Sequence, residues 1–114
     1  MSDTTGHTAV MVMTTVADQA SANLIADALL DRRQAACIQQ LDIQSHYRWQ
    51  GEKRSDPEIL LLVKTSVSAQ DLAIRTIREL HRYDLPEIAT VPLSGGSPEY
   101  LDWLVAQTGA GTAG

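Results

Sequence analysis

The segment HRYDLPEI, residues 81–88, gathers several side chains that could bind a metal ion. His81 offers an imidazole nitrogen, and Asp84 and Glu87 offer carboxylate oxygens close to it. The chain has only three histidines and one cysteine, so few other residues could supply nitrogen or sulfur ligands. The segment predicts either a metal site on His81 and Glu87 or a structural corner, where His81 ends a helix and Pro86 releases a strand.

Cys37 is the other candidate ligand. Its thiolate would suit a soft metal such as copper, while a buried cysteine at a helix–strand junction also serves as a small hydrophobic residue. A single cysteine excludes an internal disulfide framework and a multi-cysteine zinc site within one chain. It fits a reducing compartment, and the start of the sequence lacks a basic and apolar signal segment. The expected location is the cytoplasm.

Other classes of function find no support in the sequence. It contains no Walker loop and no GxGxxG, HExxH, CxxC or GxSxG motif, so no enzyme activity is predicted. The net charge of −5 argues against a nucleic-acid surface. No apolar run approaches the ~20 residues of a membrane helix, so no membrane insertion is expected.

The elements that must position these residues follow the order β-α-β-β-α-β, with a further helix at the C-terminal end. Two short, almost continuously apolar runs, residues 9–16 and 58–65, predict buried strands. The run IATVPL predicts a fourth strand, and its Pro92 favours the sheet edge. SPEYLDWLVAQ predicts the final helix, with Pro98 in its first turn.

Local signals set the expected ends of the first two helices. Asp18 is the expected N-cap of the first helix, and Leu24, Ile25, Ala28 and Leu29 are expected to form its buried stripe. Ser68 and Asp71 predict a capping box for the second. Pro57 predicts a bulge or kink before the third strand.

The order predicts an α+β fold, a ferredoxin-like βαββαβ sandwich with a four-stranded antiparallel sheet and strands 1 and 3 at its centre. A long β2–β3 hairpin and an extra C-terminal helix complete it. The expected organisation is one domain over residues 8–107, between disordered tails at 1–7 and 108–114.

The second strand is unusually long. Apolar and polar residues alternate from Cys37 to Trp49, thirteen residues, which at ~3.3 Å per residue extend about 43 Å. A domain of this size has a diameter of roughly 34 Å. Ile43, Tyr47 and Trp49 would then overhang the domain as an exposed apolar patch. The length predicts a homo-oligomer that covers the hairpin, or else a break that folds its tip back.

Five segments, RRQAACIQ, SHYRWQGE, LLLVKT, HRYDLPEI and YLDWL, resemble in order and spacing the signature segments of the CutA family, which is associated with divalent-cation tolerance. The resemblance implies a homotrimer of ferredoxin-like subunits with interlocked hairpins. It also implies clefts between subunits that bind copper or another divalent cation. The expected metal ligands are His81, Cys37 and Glu87, and the expected cleft-lining residues are Trp49, Lys64, Tyr83 and Tyr47.

The sequence departs from some members of the family at the positions linked to copper. Where those members carry a cysteine and a pair of histidines, this chain has Thr14, Leu80 and His81. A soft metal would then need Cys37 or residues of a neighbouring chain to complete its shell. The expected function is a homotrimeric divalent-metal binding and tolerance protein. The alternative is a non-catalytic trimeric signalling or small-molecule-binding module that uses the same clefts.

Overall fold

A computed structural model describes residues 8–108 of the chain. Its elements are β1 (Ala9–Val16), α1 (Gln19–Asp31), β2 (Cys37–Trp49), β3 (Glu52–Ser66), α2 (Val67–Leu80), β4 (Ile88–Pro92) and α3 (Pro98–Ala106). The predicted tails lie outside the described residues, except for Thr108. This residue is buried, and its Oγ1 donates a hydrogen bond to Ser66 Oγ over 2.8 Å.

The four strands form one antiparallel sheet in the order β2-β3-β1-β4. The two most apolar runs are therefore central, as predicted, and the topology is ferredoxin-like. β4 lies at the edge of the sheet, and Pro92 is its last residue. A proline at a sheet edge can lack its backbone N–H without depriving another strand of a hydrogen bond.

Helices α1 and α2 cover one face of this sheet, called here the helix face. The buried core between them consists of Val12, Val16, Ala22, Ile25, Leu29, Ala35, Ile59, Leu61, Val63, Ala73 and Ile77. The predicted stripe of α1 was wrong at Leu24, which is 49% exposed. The buried positions of α1 include Ser21, Ile25 and Leu29 at intervals of four, which turns Leu24 about 100° away from Ile25.

The N-terminus of α1 matches its prediction, and that of α2 does not. Asp18 Oδ1 accepts a 2.8 Å hydrogen bond from the Ser21 amide, which also lowers the pKa of Asp18. The predicted capping box at Ser68 was wrong, because α2 begins at Val67 with Ser66 as its N-cap. The Val67 amide donates to the Thr8 carbonyl at 2.9 Å, so the chain passes from strand to helix before it reaches Ser68.

β2 and β3 pair in one unbroken register, from Cys37 opposite Lys64 to Trp49 opposite Glu52. The bulge predicted at Pro57 was therefore wrong, and Pro57 pairs regularly with Gln44. The β1–β3 ladder has already ended at Ile59, so β3 has a free edge at Pro57. A proline whose nitrogen faces that edge breaks no ladder hydrogen bond.

The hairpin closes through a two-residue turn. Gln50 and Gly51 have φ angles of 50° and 82°, the two positive values that a tight turn between right-twisted strands requires. The molecule measures 48 × 28 × 21 Å along its principal axes. Residues 43–58, called here the hairpin arm, contain no buried residue. The strand has no break, so the tip does not fold back onto its own domain.

The apolar residues of β2 point away from the helices. Strand alternation places Leu41 and Ile43 on the face opposite α1 and α2, called here the open face, beside Leu60 and Leu62 of β3. α3 contacts one end of the open face, where Lys64 Nζ lies 5.9 Å from the centre of the Tyr100 ring. Much of a sheet face that is rich in aliphatic residues therefore has no cover from the part of the chain that the structure describes.

Candidate functional site

His81 is the C-cap of α2 and ties the following loop to the end of β1. Its Nε2 lies 2.8 Å from the Thr15 carbonyl oxygen, and the Tyr83 amide lies 3.2 Å from its Nδ1. A carbonyl only accepts and an amide N–H only donates, so Nε2 carries the hydrogen and Nδ1 presents its lone pair. Both ring nitrogens of the neutral imidazole are therefore engaged by backbone groups. A metal ion at His81 would have to displace one of them.

The loop that follows His81 places Tyr83 at the end of the sheet, where its hydroxyl contacts Glu58. Tyr83 Oη donates to Glu58 Oε2 over 2.7 Å, and its ring packs 4.9 Å from that of His81. Partial burial, followed by the hydrogen bond to Glu58, raises the pKa of Tyr83 well above its ordinary value of about 10. Tyr83 is thus a positioned, neutral phenol at neutral pH.

A second phenol–carboxylate pair lies next to the first. Tyr47 Oη donates to Asp56 Oδ2 over 2.5 Å, and this bond raises the pKa of Tyr47. Asp56 and Glu58 are two residues apart on β3 and share the open face. The negative charge of Asp56 contributes to the raised pKa of Tyr83. The base of the hairpin arm therefore carries two carboxylates, each hydrogen-bonded to one tyrosine.

Glu87 and Thr14 lie at the same end of β1. Ile88 pairs with Thr14 in the last position of the β1–β4 ladder, so Glu87 follows beside Thr15, the residue that His81 contacts. Glu87 is exposed and has no hydrogen-bond or ion-pair partner within residues 8–108. Thr14 is fully buried, and its Oγ1 has no hydrogen-bond partner among those residues.

Cys37 and Lys64 occupy the opposite end of the open face. They face each other across the β2–β3 ladder, and both are half-buried. Lys64 lies four residues along β3 from Leu60, which pairs with Thr15, a separation of roughly 13 Å along the strand. The thiol therefore lies far from His81 and Glu87 within one chain.

The predicted site residues thus form two groups. His81, Glu87, Tyr83 and Tyr47 lie around one end of the sheet and the base of the arm, whereas Cys37 and Lys64 lie at the other end. Trp49, 39% exposed, stands at the tip of the arm. No cluster of three or more His, Cys, Asp or Glu side chains within the described part of the chain could hold a metal ion. Within the described residues, the Cys37 thiol therefore has no second candidate ligand grouped with it.

Glu58 and Asp56, the carboxylates that accept from Tyr83 and Tyr47, were not among the residues predicted from the sequence. Their alternation with Leu60 and Leu62 on β3 was a usable signal, because it places them on the same face as Tyr47 once the register is known. The contact of Glu58 with Tyr83 spans 25 residues of sequence and has no local signature.

The topology and the arm define the class: a ferredoxin-like α+β sandwich protein with an extended β2–β3 hairpin and its candidate ligands spread along the open face of the sheet. Comparison with known families narrows this further, because residues 10–107 match the model of the CutA1 divalent ion tolerance protein. The chain belongs to the CutA1 family, whose description names tolerance of divalent ions rather than a reaction.

Individual relatives agree with this assignment. The chain is 44% identical over 100 residues to the divalent-cation tolerance protein CutA of Thermus thermophilus, covering 87% of this chain and 97% of that protein. A solved structure of the Thermus thermophilus protein superimposes with a TM-score of 0.85 at 43% identity, over 89% of this chain and 99% of that one. CutA1 of Oryza sativa gives a TM-score of 0.87 at 32% identity, covering 93% and 98%. Among residues 8–108, no helix has the length and apolar character needed to cross a bilayer.

Proposed function

We propose that this protein is a homotrimer that binds a divalent cation, with Cu²⁺ as the leading candidate, in clefts between its subunits, and that it has no catalytic activity. The observation that carries the proposal is the uncovered open face and its continuation along the hairpin arm. Family membership supports a role in divalent-cation tolerance. The free thiol of Cys37 supports a location in the cytoplasm.

The hairpin arm supports the assembly. An isolated two-stranded ribbon is marginally stable in water, yet β2 and β3 remain paired to the tip, with Tyr47 and Trp49 exposed by 42% and 39%. The aliphatic residues at the start of this surface, with Leu41 45% exposed, extend it towards the centre of the sheet. Copies of the same chain are the simplest cover for so large an apolar surface. Three copies is the number that the CutA resemblance implies.

Two leucines allow a matched test of this interface. Leu41 on the open face and Leu24 on α1 are exposed to similar extents, 45% and 49%. If the open face is the interface, Leu41→Arg should dissociate the assembly, because a charge buried there has no partner. Leu24→Arg should leave the mass unchanged in sedimentation velocity. If Leu41→Arg and Leu24→Arg dissociate to the same extent, the open face is not the interface.

The metal site requires the assembly, because the candidate ligands lie apart in one chain. Copper sites in proteins can combine imidazole with thiolate ligands, and Cys37 and His81 supply one of each. Packing of the open faces would bring the Cys37 end of one chain towards the His81 and Glu87 end of the next. His81 would exchange one backbone hydrogen bond for the metal, which limits the affinity.

Copper titration by calorimetry tests the site. Binding by the wild type should weaken at least tenfold in Cys37→Ser and His81→Ala, and more mildly in Glu87→Gln. His46→Ala is the matched control, because His46 is exposed on the helix-face side of the arm. Isotherms of all variants that match the wild type would exclude these residues as ligands.

The alternative function is a non-catalytic module in which the same cleft binds an anionic small molecule. The observation that favours it is Lys64, which is half-buried and has no carboxylate partner within residues 8–108. A thermal-shift panel of phosphorylated and carboxylated metabolites, run on wild type and Lys64→Met, tests this reading. Stabilisation by a panel compound that disappears in Lys64→Met would favour it, and a blank panel beside clear copper binding would count against it.

A further inference from the structure

The open face carries two opposite charges without ionic partners. Glu58 and Lys64 lie on the same side of β3, alternate with Leu60 and Leu62, and are both half-buried. Within the described residues, ion pairs join only Arg32 to Glu79 and Arg54 to Glu52. Glu58 accepts a hydrogen bond from Tyr83, and Lys64 lies over the ring of Tyr100. Neither charge is neutralised by another residue of the described range 8–108.

The two charges cannot meet within one subunit. Six residues of extended strand separate them, which corresponds to roughly 20 Å. Leu60 and Leu62 occupy the surface between them, and the straight, unbroken β3 cannot fold to shorten the distance. Since residues 8–108 offer neither charge an ionic partner, a neighbouring subunit can supply one.

Covering the open face makes these charges costly. Removing an ion from water without a partner costs several kcal/mol, and an apolar interface over residues 58–64 would do this to both Glu58 and Lys64. Opposite charges at the two ends of one surface solve the problem if the Lys64 end of one subunit meets the Glu58 end of the next. We infer that Lys64 of one subunit forms an ion pair with Glu58 of the neighbouring subunit, beside the Tyr83 hydroxyl. The inference rests on the trimer proposed above.

The pair would also set the geometry of the cleft. Each subunit offers Lys64 to one neighbour and Glu58 to the other, which is the head-to-tail arrangement that closes a ring. Cys37 stands directly opposite Lys64 on the ladder, within about 5.5 Å between Cα atoms. An ion pair between Lys64 and Glu58 would therefore carry Cys37 of one chain towards His81 and Glu87 of the next. The ion pair thus specifies the register in which the candidate metal ligands assemble.

A charge-reversal cycle tests the pairing. Lys64→Glu and Glu58→Lys should each raise the protein concentration of half-dissociation at least tenfold in sedimentation velocity, because each places like charges together. The double variant restores opposite charges at all three interfaces and should return to within about threefold of wild type. Asp42→Lys is the control, because Asp42 lies on the helix face of β2, opposite Ile59, and should not rescue Lys64→Glu.

The outcomes separate this inference from the trimer itself. A wild type that sediments as a single chain would overturn the assembly and the ion pair together. If the wild type is a trimer but the double variant shows the summed effects of the two reversals, with no rescue, the ion pair alone is overturned. If a reversed variant fails to fold, Glu58→Gln and Lys64→Met replace the reversals. The neutral double variant should then dissociate less readily than either single variant, since each single change strands one buried charge, and an additive result would again refute the pairing.

Discussion

Replacement of His81 should destabilise the protein before any metal is added. The imidazole makes two hydrogen bonds to backbone groups, at 2.8 Å to the Thr15 carbonyl and at 3.2 Å from the Tyr83 amide. Each bond contributes about 0.5–1.5 kcal/mol net. His81→Ala removes both and should lower the free energy of unfolding by about 1–3 kcal/mol. His81→Gln can keep the donor to Thr15 but not the acceptor for Tyr83, and should lose about half as much.

Urea unfolding of the metal-free protein at one fixed protein concentration measures these differences, because linkage to assembly makes stability concentration-dependent. In a thermal melt, 1 kcal/mol corresponds to roughly 4–8 °C for a domain of this size, so His81→Ala should melt near 10 °C lower. His46→Ala, an exposed histidine of the arm, is the control and should change the free energy by less than about 0.5 kcal/mol.

The diagnostic result is a free energy of unfolding that falls stepwise from the wild type to His81→Gln and then to His81→Ala. A His81→Ala protein as stable as the wild type would refute the structural role of the imidazole. The same variant with full stability but no copper binding would identify His81 as a dedicated ligand whose backbone contacts contribute nothing. Destabilisation together with weaker copper binding is the result that both the contacts and the proposed site predict.

Three further predictions concern single positions. Thr14 and Thr65 are both fully buried, but among the described residues only Thr65 Oγ1 has a hydrogen-bond partner, the Gln34 carbonyl at 2.7 Å. Thr14→Val should therefore stabilise the protein by about 1 kcal/mol, whereas Thr65→Val should destabilise it by about 1–2 kcal/mol. Urea unfolding measures both changes. Arg33 follows α1 with a φ of 57°, and Arg33→Gly should stabilise the protein by about 0.5–1 kcal/mol; a loss of stability would mean that the side chain contributes more than the backbone strain. The raised pKa of Tyr83 predicts that its contribution to stability is complete below pH 10 and is lost as the pH rises further, since the unfolded chain releases that proton first. In chemical unfolding from pH 9 to 11, Tyr83→Phe should lose stability less steeply than the wild type, and parallel curves would contradict the assignment.

The sequence was sufficient for the elements whose residues carry a local pattern. The apolar run of β1 and the alternating pattern of β2 indicated the strand bounds, and Asp18 indicated the start of α1. The pattern was insufficient where pairing overrides local preference. Glu52 to Pro57 have weak strand tendencies, yet pairing with β2 holds them in a regular ladder.

The candidate site was less accessible to sequence reasoning. The residue types of HRYDLPEI suggested a ligand group, but the partner of His81 Nε2 is a backbone carbonyl 66 positions away. The acceptor for Tyr83 is likewise 25 positions away. Backbone carbonyls have no residue identity to detect, and carboxylates on a long strand become neighbours of a distant loop only when the sheet forms. The sequence pointed to this segment as a candidate and left its contacts undetermined.

The mass of the protein in solution tests the central claim most directly, because residues 8–108 of one chain leave the open face and the hairpin arm largely uncovered. Static light scattering after size-exclusion chromatography, on metal-free wild type from about 1 to 100 micromolar, is the measurement. The expected result is one species near 37 kDa at every concentration, three times the 12.4 kDa of the chain. A stable species near 12.4 kDa over that range would contradict the assembly, the shared cleft and the function assigned to it.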